Sequence, residues 1–373
     1  MNPRRTVALV ALLIPFFGFA LATGSAAARQ PAVTIHVGAP IHPVEMANGQ
    51  RLVYELHVDN NTGVPVELAA LDVLADDGKA LLQLDRKALA ADMDSKEGGG
   101  TSVAAHASAL VYLTVDAGNA APASIRHRLT VEQENHEAVV AGRNMPVMAD
   151  RSPVLAPPLA GGPWVAVYSD AWPRGHRRVF IRANGRARLP GRFAIDWMKV
   201  DQHGRTLRDD SGLAASSYSY GAKVLAVADA QVAATRDGVT EAERIADNKT
   251  HPHPDAAGNF ISLDLGNGRF ATYEHLRPGT IRVARGERVH QGQVLAEVGF
   301  SGDSTEPHLH FHVSDSPMPL EGEGLPYMLN RFRVTGRVTN WGAFGSRRWP
   351  ELQPRIAEHE FPESGDVVDF AVR

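Results

Sequence analysis

The chain has 373 residues, of which 44% are hydrophobic and 21% charged. That is enough apolar material for a sizeable core, and the length suggests two domains or three. A net charge of −4 with histidine neutral gives no broad basic field of the kind that attracts nucleic acid. Cysteine is absent, which excludes disulfides, thiolate metal sites and a lipid anchor on Cys. Any metal must therefore be held by carboxylates and by some of the 16 histidines.

At the start of the chain, Arg4 and Arg5 precede an apolar run from Val7 to Leu21. Ala26-Ala27-Ala28 then offers a small-residue cleavage site. This is the pattern of a secretory signal over residues 1–28. A retained membrane anchor is the alternative, but the run is short for a spanning helix. Removing two Arg and no acid changes the net charge from −4 to −6. No later segment is apolar enough to span a bilayer, so a periplasmic or secreted protein is predicted, with no integral membrane segment after cleavage.

Residues 29–152 read as an Ig-like β-sandwich. Leu52 to Val58 is apolar with partial alternation and runs into the turn Asp59-Asn60-Asn61-Thr62-Gly63. Val66 to Val73, Leu110 to Val115 and Leu129 to Val131 are further strand candidates. Short strands between Gly/Asn/Asp turns favour a sandwich. Lys79 to Asp94 is either one helix or a long connection. His36, His42, His57, His106, His127 and His136 are scattered and form no constellation. The domain reads as a spacer or targeting module.

Residues 153–163 are a linker by their Pro/Gly composition. Residues 164–345 form a second domain, dense in strand signals. These are Trp164 to Tyr168, Phe193 to Trp197, Lys223 to Ala230, Asn259 to Leu265, Phe270 to His275, Val294 to Val298 and Leu309 to Val313. With Gly-rich turns and no strong amphipathic helix, the fold class is all-β and antiparallel. Residues 346–373 are a polar tail, whose last apolar run from Val367 to Val372 either adds an edge strand or frays.

The chemistry concentrates in Glu306-Pro307-His308-Leu309-His310-Phe311-His312-Val313. In a strand, residues i and i+2 share a face, so His308 and His310 point into one site and Leu309 and Phe311 pack on the other. His312 extends that face as a third participant or a rim residue. Neutral imidazoles at this spacing suit a metal with an adjacent acid or base. Asp196 is a lone acid in an apolar strand pattern, and a buried carboxylate needs a cation or several donors. A metal ion would serve, as would a salt bridge to Arg192 or Lys199.

Several stretches, taken in order, resemble the lysostaphin/LytM family of zinc endopeptidases. They are Asp196, Gly221-Ala222-Lys223-Val224-Leu225-Ala226, Tyr273-Glu274-His275-Leu276, Gly292-Gln293-Val294-Leu295 and His308-Leu309-His310-Phe311. The loop Ser301 to Pro307 also resembles that family's loop before its His-x-His strand. The likeness covers about residues 164–325 and leaves the first domain outside. It implies a LytM-type β-sheet peptidase domain, a Zn²⁺ cofactor, and hydrolysis of peptide bonds in peptidoglycan cross-links or stem peptides. It further implies that Asp196 and His310 bind zinc and that His275 and His308 are the paired catalytic histidines. Many members carry a first ligand four residues before the Asp. Here that position is Arg192, whose guanidinium has no lone pair to donate. His176, in Gly175-His176-Arg177-Arg178, resembles relatives in which this ligand sits farther upstream, and it is the nominee. His203, in the polar turn Asp201 to Arg205, is the competitor. Three protein ligands leave a fourth position for water, as in catalytic zinc sites.

Two other classes compete. The hairpins around residues 279–295 resemble those of biotinyl and lipoyl carriers, but no suitably flanked Lys stands at a hairpin tip. Some members of the zinc family have lost their ligands and serve as binding or activator modules for other wall hydrolases, and Arg192 is a change of that type.

Overall fold

A computed structural model describes residues 32–371, apart from 96–99, 135, 171, 173–174 and 184–185. The expected signal at 1–28 lies outside the described residues. Among the described residues, no helix is long and apolar enough to cross a membrane. The fold is nearly all β, with almost every strand pair antiparallel.

Two antiparallel sheets build the first part of the chain. One orders Val33–Val37, Gly49–Asn60, Ser108–Gly118 and Met93–Ser95, with Pro43–Met46 also on Gly49–Asn60. The other orders His136–Ala141, Ser124–Gln133, Val66–Ala75 and Ala80–Asp85. Period-2 alternation puts Leu52, Tyr54, Leu56 and Val58 on the core side, where they meet Leu68, Leu71, Val73, Ile125 and Leu129. The uncertain stretch Lys79 to Asp94 resolves into the strand Ala80–Asp85, the helix Arg86–Asp92 and the start of Met93–Ser95. Asp85 caps that helix by accepting from the Ala88 N–H.

A twelve-stranded sheet dominates the remainder. Its centre runs Trp164–Val167, Ile195–Lys199, Leu309–Ser314, Phe270–Leu276, Asn259–Asp264 and Ala230–Arg236. The stretch 223–230, read as one strand, is instead a short strand Lys223–Leu225 followed by a turn, and a separate strand begins at Ala230. The Tyr273 hydroxyl accepts from the Val227 N–H inside that turn, which takes this amide out of any ladder. The tail does not fray: Glu351–Glu360 and Asp366–Asp369 both pair with Met328–Arg337. Residues 153–163 are also packed. Leu155 and Leu159 are buried in the main core, and Val154–Leu155 pairs in parallel with Met328–Arg337.

The two parts meet at a buried carboxylate. Glu55, on the outer face of Gly49–Asn60, is 3% exposed. It accepts from Arg177 Nε at 3.2 Å and from Arg192 Nε and Nη2 at 2.9 and 2.8 Å. Arg177 also donates to the carbonyls of Tyr54 and Leu113, and Arg192 to Glu323 and the Gly324 carbonyl. Burial opposes ionisation of Glu55, but the two guanidinium groups outweigh it and hold its carboxyl below the usual range.

Breaking a buried pair leaves an uncompensated charge and costs about 3–5 kcal/mol. Glu55→Ala is therefore expected to lower unfolding free energy by about that amount, measured by urea denaturation. A fragment beginning at Pro157 should show the same weakness, since it keeps both arginines and loses Glu55. A Glu55→Ala protein with an unchanged midpoint would refute the role given to this carboxylate.

Candidate functional site

Register aligns the site. Asp196 pairs with His310, and His310 pairs with Glu274 on its other side. One step along, His312 pairs with Thr272, which pairs with Ser262. These six side chains share one sheet face, since register partners point the same way. The intervening residues Ile195, Trp197, Leu309, Phe311, Tyr273 and Ile261 fill the core behind them.

His275 breaks this parity. Strict alternation would send it to the core with Tyr273. A register shift opposite Asn259 and Ile261 inserts one extra residue, and His275 takes a left-handed backbone with φ of 60°. Leu276 is then the residue that packs inward, while His275 joins the polar face. The bulge is locked from the loop beyond it. His275 Nδ1 donates to the Ser301 carbonyl at 2.8 Å, and Ser301 Oγ donates to the Leu276 carbonyl at 2.7 Å. Gly258 allows the close approach, because a Cβ there would lie 2.5 Å from the Ser301 oxygen.

Four histidines converge on Asp196 or its neighbours. His310 Nδ1 lies 2.8 Å and His308 Nε2 3.1 Å from Asp196 Oδ1, and His176 Nε2 lies 3.1 Å from Oδ2. The rings of His275 and His308 meet at 4.8 Å, those of His176 and His310 at 4.7 Å. Ligand atoms of His176, Asp196 and His310 all lie within 4.8 Å of one another, as do those of His275, His308 and His310. Each anticipated residue is thus in one cluster.

His176 reaches it from a short turn, His176–Arg178. Its neighbour Arg177 is the residue clamped on Glu55, and Gly191 packs so closely that a Cβ would sit 2.9 Å from His176 Cβ. Arg192 does not approach Asp196 as a salt-bridge partner; it is committed to Glu55 and Glu323. The Lys199 ammonium lies over the Trp164 ring. His203 contacts Gln202 on the exposed surface.

The electrostatics separate the two histidines. His308 Nδ1 donates to the Glu306 carbonyl at 2.7 Å, so Nε2 faces the site. Burial disfavours charge on His308, but Asp196 outweighs it and holds the pKa above the ordinary value. His275 is pushed well below, first by burial and then by His308 and His310. Burial also works against the charge of Asp196, yet His176 and His308 draw its pKa well down. Glu274 and His312 also line this face, buried and at 3.3 Å. Sequence reading left His312 between participant and rim and passed over Glu274, whose only signal was its alternation with Thr272.

Residues 217–321 match the family model "Peptidase family M23". The matched segment is 105 of the 373 residues. It includes His275, His308 and His310, while His176 and Asp196 precede it. Similar solved structures include the catalytic domain of lysostaphin from Staphylococcus simulans, at 18% identity and TM-score 0.23. That match covers 44% of this chain and 88% of that one. A catalytic-domain mutant of the prophage-encoded M23 protein EnpA from Enterococcus faecalis shows 17% identity and TM-score 0.25, covering 46% and 87%. A zinc-containing peptidase from Vibrio cholerae shows 15% identity and TM-score 0.26, covering 79% and 85%. No curated protein matches the chain.

The donor set of two imidazoles and a carboxylate is one that zinc accepts. His176→Ala is expected to bind less zinc than the wild type, and His203→Ala the same amount, as read by elemental analysis of the purified proteins. Full zinc in His176→Ala would remove this residue from the ligand set.

Proposed function

We propose that the chain is an exported zinc metallopeptidase that hydrolyses peptide bonds in peptidoglycan cross-links or stem peptides. The observation that supports this most is the convergence of His176, Asp196, His275, His308 and His310 on one sheet face. In this reading His176, Asp196 and His310 hold the ion, with Arg192 displaced to a structural pairing. When bound, zinc supplies a Lewis acid that polarises the scissile carbonyl and acidifies water.

The remaining steps belong to the chain. His275, its Nδ1 tied to the Ser301 carbonyl, presents the Nε2 lone pair and is held neutral, so it suits the general base that takes a proton from the attacking water. His308 Nε2 lies 3.1 Å from Asp196, which favours its charged form, so it suits the acid that delivers a proton to the leaving amine. Environments that push two such pKa values apart are how one site holds both an acid and a base. Water oxygen bonds to the carbonyl carbon, the C–N bond breaks, and the products are a carboxylate and an amine. The apolar run and Ala26-Ala27-Ala28 support export, which would bring the site to the wall.

His308→Ala and His275→Ala are expected to keep zinc and to lose turnover by about 10²–10⁴-fold. His310→Ala should lose both. The assay is mass analysis of fragments released from purified peptidoglycan. Equal zinc loss in all three variants would overturn the division of roles. A zinc-loaded wild type that binds the wall and releases nothing would show a binding module instead.

A further inference from the structure

Beside the five residues above lies a second group, which shares His310 with them and adds two side chains that the proposed reaction does not use. Glu274, His310 and His312 bring one ligand atom each within 4.8 Å of the others. Glu274 Oε1 is 3.3 Å from His312 Nδ1 and 3.7 Å from His310 Nε2. Glu274 is 4% exposed and His312 1% exposed. Yet Glu274 Oε1 and both ring nitrogens of His312 make no hydrogen bond. Burying such atoms unsatisfied is costly, so their collection in one place calls for a ligand.

The separations identify its kind. Both exceed a hydrogen bond between ring nitrogen and carboxylate. Donors around a four-coordinate zinc with bonds of about 2.0–2.1 Å stand about 3.3–3.4 Å apart. The face also carries oxygen donors in register: Thr272 Oγ1, on the partner of His312, and Ser262 Oγ beyond it are sealed in and likewise without hydrogen bonds. Among the described residues, the ion-pair contacts of Glu274 are His310 and His312, and no Lys or Arg stands within salt-bridge distance of it.

We infer that Glu274, His310 and His312 form a second divalent-cation position, separate from the one at His176 and Asp196. His310 is common to both: Nδ1 faces Asp196 and Nε2 faces Glu274, so holding both ions at once requires the ring to release its one proton and bridge as an imidazolate. Two imidazoles and a carboxylate select a borderline ion of the zinc and cobalt type over magnesium or calcium, which prefer all-oxygen shells. The position lies deeper than the first, so its role is to fix the shared imidazole from behind rather than to meet substrate. It rests on the proposed reading only through His310.

The test counts ions. The purified chain is loaded with Co²⁺ alone, dialysed, and analysed for cobalt per chain and for its visible d–d absorption. Two ions are expected in the wild type and one in each of Glu274→Gln, His312→Ala and His176→Ala. The pair His176→Ala/Glu274→Gln should retain none. Circular dichroism melts identify any variant that fails to fold, and Glu274→Gln, which keeps shape and volume, is the decisive one. If the wild type binds one ion, and Glu274→Gln and His312→Ala leave that count and spectrum unchanged, the second position does not exist and the first reading stands. If His176→Ala leaves the count at two, the first position is misassigned.

Discussion

One buried carboxylate decides whether the candidate site can exist. Glu55 projects from the first sheet system into the junction and pairs with two arginines, Arg177 and Arg192. Arg177 adjoins His176 and Arg192 stands four residues before Asp196, so a single anion anchors both segments that carry candidate ligands. Both guanidinium groups are buried and paired, Arg177 also with Asp170 and Arg192 also with Glu323, and Glu55 is the carboxylate they share. Arg192 has thus been put to structural use, and His176 enters the cluster from the short turn it shares with Arg177.

Within the sheet, alternation separates two kinds of work. Along Ile195–Lys199, Leu309–Ser314 and Phe270–Leu276, apolar core groups face one side and Asp196, His310, His312 and Glu274 the other. The apolar side is a continuous core of Trp197, Leu309, Phe311 and Tyr273. It holds the polar side rigidly enough that side chains from three strands keep their mutual distances. The bulge at His275 departs from this alternation, and there a candidate catalytic group would otherwise face the core.

How much of this could be read beforehand varied with the range of the interaction. His308 and His310 were legible because their spacing and their strand period coincide. Asp196 was legible as an isolated acid in an apolar run. His275 came only through its likeness to a family pattern, because local parity points it inward and the bulge is set by Asn259 and Ser301, far along the chain. Glu55 was illegible: a carboxylate in a strand gives no sign of arginines 122 and 137 positions away. The same holds for the tail at 346–373, whose pairing with Met328–Arg337 depends on a strand that its own polar composition does not announce.

The long separations have a consequence for the life of the chain. Asp196 and His310 stand 114 positions apart, and the clamp on Arg192 spans more. Contacts of such range close late and slowly, because loop entropy is lost before they contribute. The sheet that includes Leu309–Ser314 also needs Asp366–Asp369 beside Trp164–Val167. A growing or unfolded chain therefore carries every reactive group while having no assembled site. Its chemistry is a property of the last stage of folding alone.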